Sequence, residues 1–382
     1  MQLFAKFKKI DIPIIIILLI FMLISSMVVY SATLDDSRII ISIQKSILMY
    51  IIGFCGLFFM AFFDYRLLQK ISIYIYLLGF GLIVTVSLFG TVINGARGWF
   101  ILPGGFNFQP AELMKLILII SIASLLHRRK GERLEIVADI FPITAIVILP
   151  FVFVLIQPDL GNAVIYIFIL LGMLWIGNVK YMHVGIGIII LVVSLAIFLF
   201  IFQKYHVGIE QFLSDRNYGH WVTRIDTFLD PSNASKDAKF QVENSIRAIG
   251  SGGLFGEGYL KGTSVHSNFI PYAYSDSIFV VVGEEFGFQG SAFLLLLYFI
   301  LIYRLILISS QSERISGSYM VIGIVSMFVF QIFQNVGMSV GLMPLTGITL
   351  PFISYGGTSL LINMMSIGLL MSIKIHQDPI DD

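Results

Sequence analysis

Apolar runs long enough to cross a bilayer as helices, about 20 residues each, recur along the whole chain and are separated mostly by short polar connections. Ten can be read, near residues 13 to 31, 46 to 63, 71 to 89, 110 to 126, 140 to 156, 161 to 177, 184 to 202, 287 to 308, 319 to 340 and 354 to 373. The pattern predicts an all-α polytopic membrane protein of about ten transmembrane helices. The first run follows a basic head, "MQLFAKFKK", and Ser31 to Thr33 loosely resemble a cleavage site. The many later runs favour an uncleaved first span over a signal peptide.

Lys and Arg accumulate in cytoplasmic loops, which lets the connections be assigned to sides. With the N-terminus inside, the inner segments hold Lys6, Lys8, Lys9, Arg66, Lys70, Arg128, Arg129, Lys130, Arg133, Lys180, Arg304, Arg314 and Lys374, whereas the short outer loops hold only Arg38, Lys45 and Arg97. Both termini are therefore expected in the cytoplasm. Residues 203 to 286, between the seventh and eighth spans, are expected outside as one extracellular loop far longer than ordinary connections and so functional. Its apolar patches "GIEQFL" and "SIRAIG" are expected as helices lying on the membrane surface.

Composition agrees and narrows the chemistry. Hydrophobic residues make up 57% of 382 positions and charged residues 12%, which is not the balance of a soluble domain. A net charge of +1 gives no reason to expect nucleic-acid binding. One cysteine, Cys55, sits in an apolar run and supports no disulfide framework. The six histidines show no zinc-ligand spacing, and no G-x-S-x-G is present. "AIGSGGLFGEGYLKGTS" at 248 to 264 lacks the spacing of a phosphate-binding P-loop; tight turns and packing are the favoured reading, and close approach to a phosphate or sugar the alternative.

Two helix entrances echo each other, "QPAEL" at 109 to 113 and "QPDLG" at 157 to 161, each with Pro near the first turn and an acid behind it, as suits a helix start. Glu112 and Lys115 are three residues apart and share a helix face. Ionisable groups in a span face a protein interior or a water-filled cavity and are functional candidates by default, with a structural ion pair as the rival. "NGARGWF" at 94 to 100 sets Arg97 beside Trp99, equally an interfacial anchor or a site. "SDSIFVVVGEEFG" at 275 to 287 places Asp276 between two serines at the membrane boundary, where partial desolvation and hydrogen bonding could tune a general base. On a helix Glu284 would share Asp276's face, eight residues on, while Glu285 reads as a helix-end or interfacial residue.

Together with "FLDP", "SIRAIGSGGLFGEG" and "GLMPLTGITLPFISYGGTSLL" at 341 to 361, these motifs occur in the order of the SEDS (shape, elongation, division and sporulation) family, which the chain resembles from first span to last. The short tails and the wording at 341 to 359 are nearer the family's elongation branch, RodA, than its division branch, FtsW. The resemblance implies one SEDS-type membrane domain over 1 to 382 and a glycosyltransferase that polymerises lipid II into peptidoglycan strands outside the cell membrane. Implied partners are lipid II, the growing glycan strand, membrane lipid and a class B penicillin-binding protein. No redox or nucleotide cofactor is implied; a divalent cation on the substrate's pyrophosphate is compatible.

The resemblance also implies roles. Asp276 matches the family's essential acid and would be the base, a role typically contributing about 10² to 10⁴-fold. Lys115 and Arg97 would orient the departing pyrophosphate, with Arg216 and Arg224 as further candidates; Glu112 would position Lys115, and Asp159 would shape the outer cavity. The chain departs from the family where members commonly read Pro-Glu-x-x-Thr-Asp-Phe-Ile: here the stretch is "PYAYSDSI", with Tyr272 for the acid, Ser275 for Thr and Ser277 for Phe. The rival functions are a lipid II flippase and a noncatalytic scaffold for the transpeptidase.

Overall fold

The computed structural model describes residues 9–35, 41–93, 96–102, 106–215, 219, 222, 226, 236–267 and 269–377. The apolar runs form helices α1 (Ile12–Thr33), α2 (Ile43–Phe62), α3 (Tyr65–Lys70), α4 (Ser72–Phe89), α5 (Pro110–His127), α6 (Phe141–Ile156, entered through a π-helical turn at Ile136–Ile140), α7 (Leu160–Ile176) and α8 (Tyr181–Lys204). They continue as α9 (His206–Ser214), α10 (Lys236–Ser251), α11 (Thr263–His266), α12 (Ile278–Ser310), α13 (Ile315–Ser339) and α14 (Gly357–Ile375). Among the described residues nine segments are long and apolar enough to span a membrane, and the shorter apolar α7 stands where a tenth is expected. The chain is a multi-pass membrane protein.

Local chemistry sets several helix starts. Pro13 and Pro110 stand in the first turns of α1 and α5, where their missing N–H costs nothing. Ser42, Asp64 and Asp159 cap α2, α3 and α7 by accepting backbone N–H bonds. Between α4 and α5 the chain folds into an antiparallel sheet of β1 (Thr91–Ile93), β2 (Ala96–Leu102) and β3 (Phe106–Phe108), in the order β1-β2-β3.

The most buried spans are α5 and α14, followed by α13. Helix α5 packs against α4, α6, α7, α13 and α14, and so forms the axis of the bundle. Helices α2 and α14 approach closely because glycines line their seam: Gly53 lies under Met364, Gly56 under Leu361 and Met365, and a side chain at Gly368 would overlap the Leu57 carbonyl. At the end of the bundle carrying the termini, buried Asp11 takes hydrogen bonds from Arg304 at 2.8 and 3.0 Å and from Lys374 at 2.7 Å, joining α1, α12 and α14. Helix α8 stands at the periphery, where Phe202 alone among its described side chains is buried.

The segment expected to be loop over 203 to 286 is substantially helical where described. "GIEQFL" falls in α9 and "SIRAIG" in α10, and α10 packs on α12 and α13. The eighth span, expected from 287, begins at Ile278 and is broken at Gly287, whose φ of 64° and ψ of −159° no helix accommodates. The acids Glu284 and Glu285 interrupt the apolar run and hide this first helical piece in the sequence. Both are buried and bonded, so the helix carries them.

The glycine-rich stretch resolves as packing. Its backbone docks on that break: Glu257 N–H donates to Glu284 O at 2.9 Å, Gly258 N–H to Glu285 O at 3.1 Å, and Phe288 N–H to Gly253 O at 2.9 Å. A side chain at Gly256, where φ is +83°, would overlap the Glu285 carbonyl.

Candidate functional site

The end of the bundle opposite the termini gathers the sheet, the start of α5, the α6–α7 turn, the turn before α12 and the segment between α13 and α14. On α5, Lys115 is fully buried and its Nζ lies 2.7 Å from Glu112 Oε2, the contact that three-residue spacing allows. Among the described residues neither atom has a further hydrogen-bond partner. A buried ammonium satisfied by one carboxylate oxygen keeps donor capacity for another anion.

Asp159 joins this group. Its Oδ2 accepts from Gln109 Nε2 at 2.7 Å and Asn162 Nδ2 at 2.9 Å, and its Oδ1 from Asn162 N–H at 3.0 Å. Burial raises its carboxyl above the usual range, opposed by the Asn162 bonds. The Tyr166 hydroxyl donates to Ala111 O at 2.8 Å, locking α7 to the first turn of α5. The echoing entrances therefore differ in use. Gln109 faces Asp159, while Gln157 turns away to Ile83 O and Ser87 at 3.0 and 2.6 Å.

Arg97 is exposed on β2; among the described residues it forms no ion pair, and the structure does not bring it against Lys115. Its neighbour Gly98 is buried, with the space of a side chain bounded by Gln157 Oε1 at 3.5 Å and Gln109 Nε2 at 3.9 Å. Arg216 and Arg224 lie outside the described residues.

Asp276 lies in the turn leading into α12 and is half-buried. A side-chain carbon at Gly347, an exposed glycine with φ of +72°, would stand 3.9 Å from Asp276 Oδ2. The turn is held through its main chain: Tyr355 N–H donates to Tyr274 O at 2.9 Å, Ser354 Oγ to Ser275 O at 2.6 Å, and Asn335 Nδ2 to Asp276 O at 2.7 Å. The same 341 to 359 segment reaches the α5 group. Thr346 O and Ile348 bound the space over Gly161, and Thr358 Oγ1 accepts from Gln109 N–H at 3.2 Å.

Glu284 and Glu285 have different work. Glu284 accepts from Ser264 N–H at 2.6 Å and Val265 N–H at 3.1 Å, fixing α11. Glu285 accepts from the Ser31 hydroxyl and lies 3.5 Å from His266 Nε2, while His266 Nδ1 meets Asp35 at 2.6 Å. Glu257 accepts from the Thr263 hydroxyl and N–H at 2.6 and 2.9 Å, which holds its carboxyl below the usual range.

Gln109, Asn162, Asn335 and Ser354 escaped the sequence reading as individual residues. Gln109 opens one quoted entrance motif and Asn162 directly follows the other, and their place beside charged positions was the available signal.

Fold and site together define a polytopic helical membrane protein with a buried Glu112–Lys115 pair toward the end of its bundle opposite the termini. The chain belongs to the FtsW/RodA/SpoVE family of cell cycle proteins, whose model it matches over residues 9–378. It is 33% identical to stage V sporulation protein E of Bacillus subtilis (strain 168), over 95% of this chain and 96% of that protein. It is 28% identical to peptidoglycan glycosyltransferase MrdB of Escherichia coli (strain K12), over 96% of this chain and 94% of that one. Among solved structures it superposes on a chain from a study of polymerization and crosslinking by a peptidoglycan synthase complex, with TM-score 0.76, 25% identity and coverage of 96% of this chain and 99% of that one.

Proposed function

We infer that this chain is a peptidoglycan glycosyltransferase, which polymerises lipid II on the extracytoplasmic side of the cell membrane. The observation that carries the reading is that one segment, 346 to 358, touches both chemical groups: the Asp276 turn through Ser354 and Tyr355, and the Glu112–Lys115–Asp159 neighbourhood through Ile348 and Thr358. An acid and a buried cation framed by one segment suit a transfer that needs a base at one point and a counter-charge at another.

In this reading the 4-hydroxyl of an acceptor GlcNAc attacks the anomeric carbon of the donor MurNAc. Asp276 takes the hydroxyl proton as the new C–O bond forms. The bond from the anomeric carbon to the pyrophosphate oxygen breaks, and the electron pair leaves with polyprenyl pyrophosphate. Lys115, held by Glu112, supplies positive charge for that leaving group, while Asp159 is fixed by Gln109 and Asn162 so that it shapes the wall beside it. Arg97, Arg216 and Arg224 are further candidates for orienting the pyrophosphate or stabilising its charge. A divalent cation carried on the pyrophosphate is compatible with this scheme.

A class B penicillin-binding protein is the proposed partner, and elongation the proposed setting. The test is purified protein with its cognate transpeptidase and lipid II in detergent, read as glycan polymer on a gel. Polymer is the expected result. Lipid II crossing between leaflets of liposomes without polymer would favour the transporter, and a complex that does neither would favour the scaffold.

A further inference from the structure

We propose that Asn335 is a positioning residue for Asp276, acting through the main chain and not through substrate. The proposal rests on the assignment of Asp276 as the base.

Asn335 lies on α13 with no exposed surface. An amide in a buried helix face is unfavourable both as a helix former and as a desolvated polar group unless its hydrogen bonds are made. Its Nδ2 donates to Asp276 O at 2.7 Å and to Ile348 O at 2.8 Å, which uses both of its hydrogens. Reversing the amide would set its oxygen against two carbonyls, so donation is the arrangement the surroundings permit. The acceptors belong to two separate segments, the turn carrying the acid and the 346 to 358 segment. One side chain therefore fixes each relative to the other.

The carbonyls of Tyr274, Ser275 and Asp276 belong to a non-helical turn and have no helical partners of their own. All three are nonetheless bound, by Tyr355 N–H, Ser354 Oγ and Asn335 Nδ2 respectively. Ser354 Oγ also accepts from Leu350 N–H at 2.8 Å, so each side-chain tie is anchored within the segment it reaches from or spans. With the backbone pinned at consecutive points, the origin of the Asp276 side chain is fixed in place. Of the three ties, Asn335 alone binds the main chain of the acid itself. Displacements of about 1 Å at a reacting group can cost about 100-fold in rate.

The experiment measures kcat and KM for lipid II polymerisation by the membrane protein with its transpeptidase, comparing wild type, Asn335→Leu, Asn335→Asp and Asp276→Asn across about pH 5.5 to 8.5, a span on both sides of neutrality that brackets a general base's working range. Asn335→Leu removes both donors and is expected to lower kcat about 10- to 100-fold with KM within about twofold. Asn335→Asp nearly preserves shape, and its neutral carboxyl supplies one O–H donor. Its rate relative to wild type should therefore rise as pH falls, a trend that loss of packing alone would not produce. If Asn335→Leu fails to fold, that ratio decides the question. A wild-type kcat in Asn335→Leu, or a pH-independent ratio for Asn335→Asp, overturns the positioning role. Wild-type polymer from Asp276→Asn would instead remove the base assignment, a separately visible failure.

Discussion

Two groups of carboxylates sit toward the same end of the bundle and are used in opposite ways. Glu257, Glu284 and the backbone around Glu285 hold a loop: the partners of Glu257 and Glu284 include main-chain N–H groups of 263 to 265, and the glycine-rich backbone closes over the α12 break. Glu112 and Asp159 also meet side chains, Lys115, Gln109 and Asn162, with Asp159 capping α7 besides, while Asp276 is held at its own carbonyl. The first group spends its charge on helix and loop ends. The second adds a buried ion pair and side-chain amide bonds, which hold charge in place where a substrate could use it.

The sharpest test of that difference is Lys115→Met. It leaves Glu112 as an unpaired buried acid, so it should cost about 3–5 kcal/mol of stability in a detergent unfolding assay and abolish polymer. Glu284→Ala should cost about 2–3 kcal/mol by orphaning two N–H groups of α11, while activity per folded molecule survives. Equal loss of specific activity in both variants would erase the distinction between the groups. Gly256→Ala should cost about 1–3 kcal/mol from backbone strain and contact with the Glu285 carbonyl, and should appear as faster proteolysis of the 250 to 266 region.

The smallest effect belongs to Glu257, whose folded pKa is depressed by the Thr263 bonds. Its contribution is fully present above the ordinary carboxylate value of about 4.3 and is lost as pH falls through the folded value. The acid limb of a stability-versus-pH curve should therefore be slightly shallower in Glu257→Gln than in wild type.

The spans were legible because hydrocarbon demands long apolar runs, and each run stands where a helix does. The start of α12 was not, because acids inside "IFVVVGEEFG" imitate a loop until the partners that neutralise their cost are known. The Glu112–Lys115 contact could be read from spacing alone, since both residues sit on one helix. Asn335 could not: its acceptors are 59 and 13 residues away, and nothing local to "FQNVGMS" announces them. The glycine-rich stretch showed that tight backbone was needed, but not that the surface beneath would be a broken helix.

The central claim is that Asp276 is held by its backbone so that its carboxylate can act. The direct measurement is lipid II polymerisation by Asp276→Asn, paired with its unfolding midpoint. No polymer from a protein whose stability is within about 0.5 kcal/mol of wild type is the predicted result, since the amide is close in shape to the carboxylate and the Asn335 bond to the 276 carbonyl survives the change. Wild-type polymer from that well-folded variant would contradict the account.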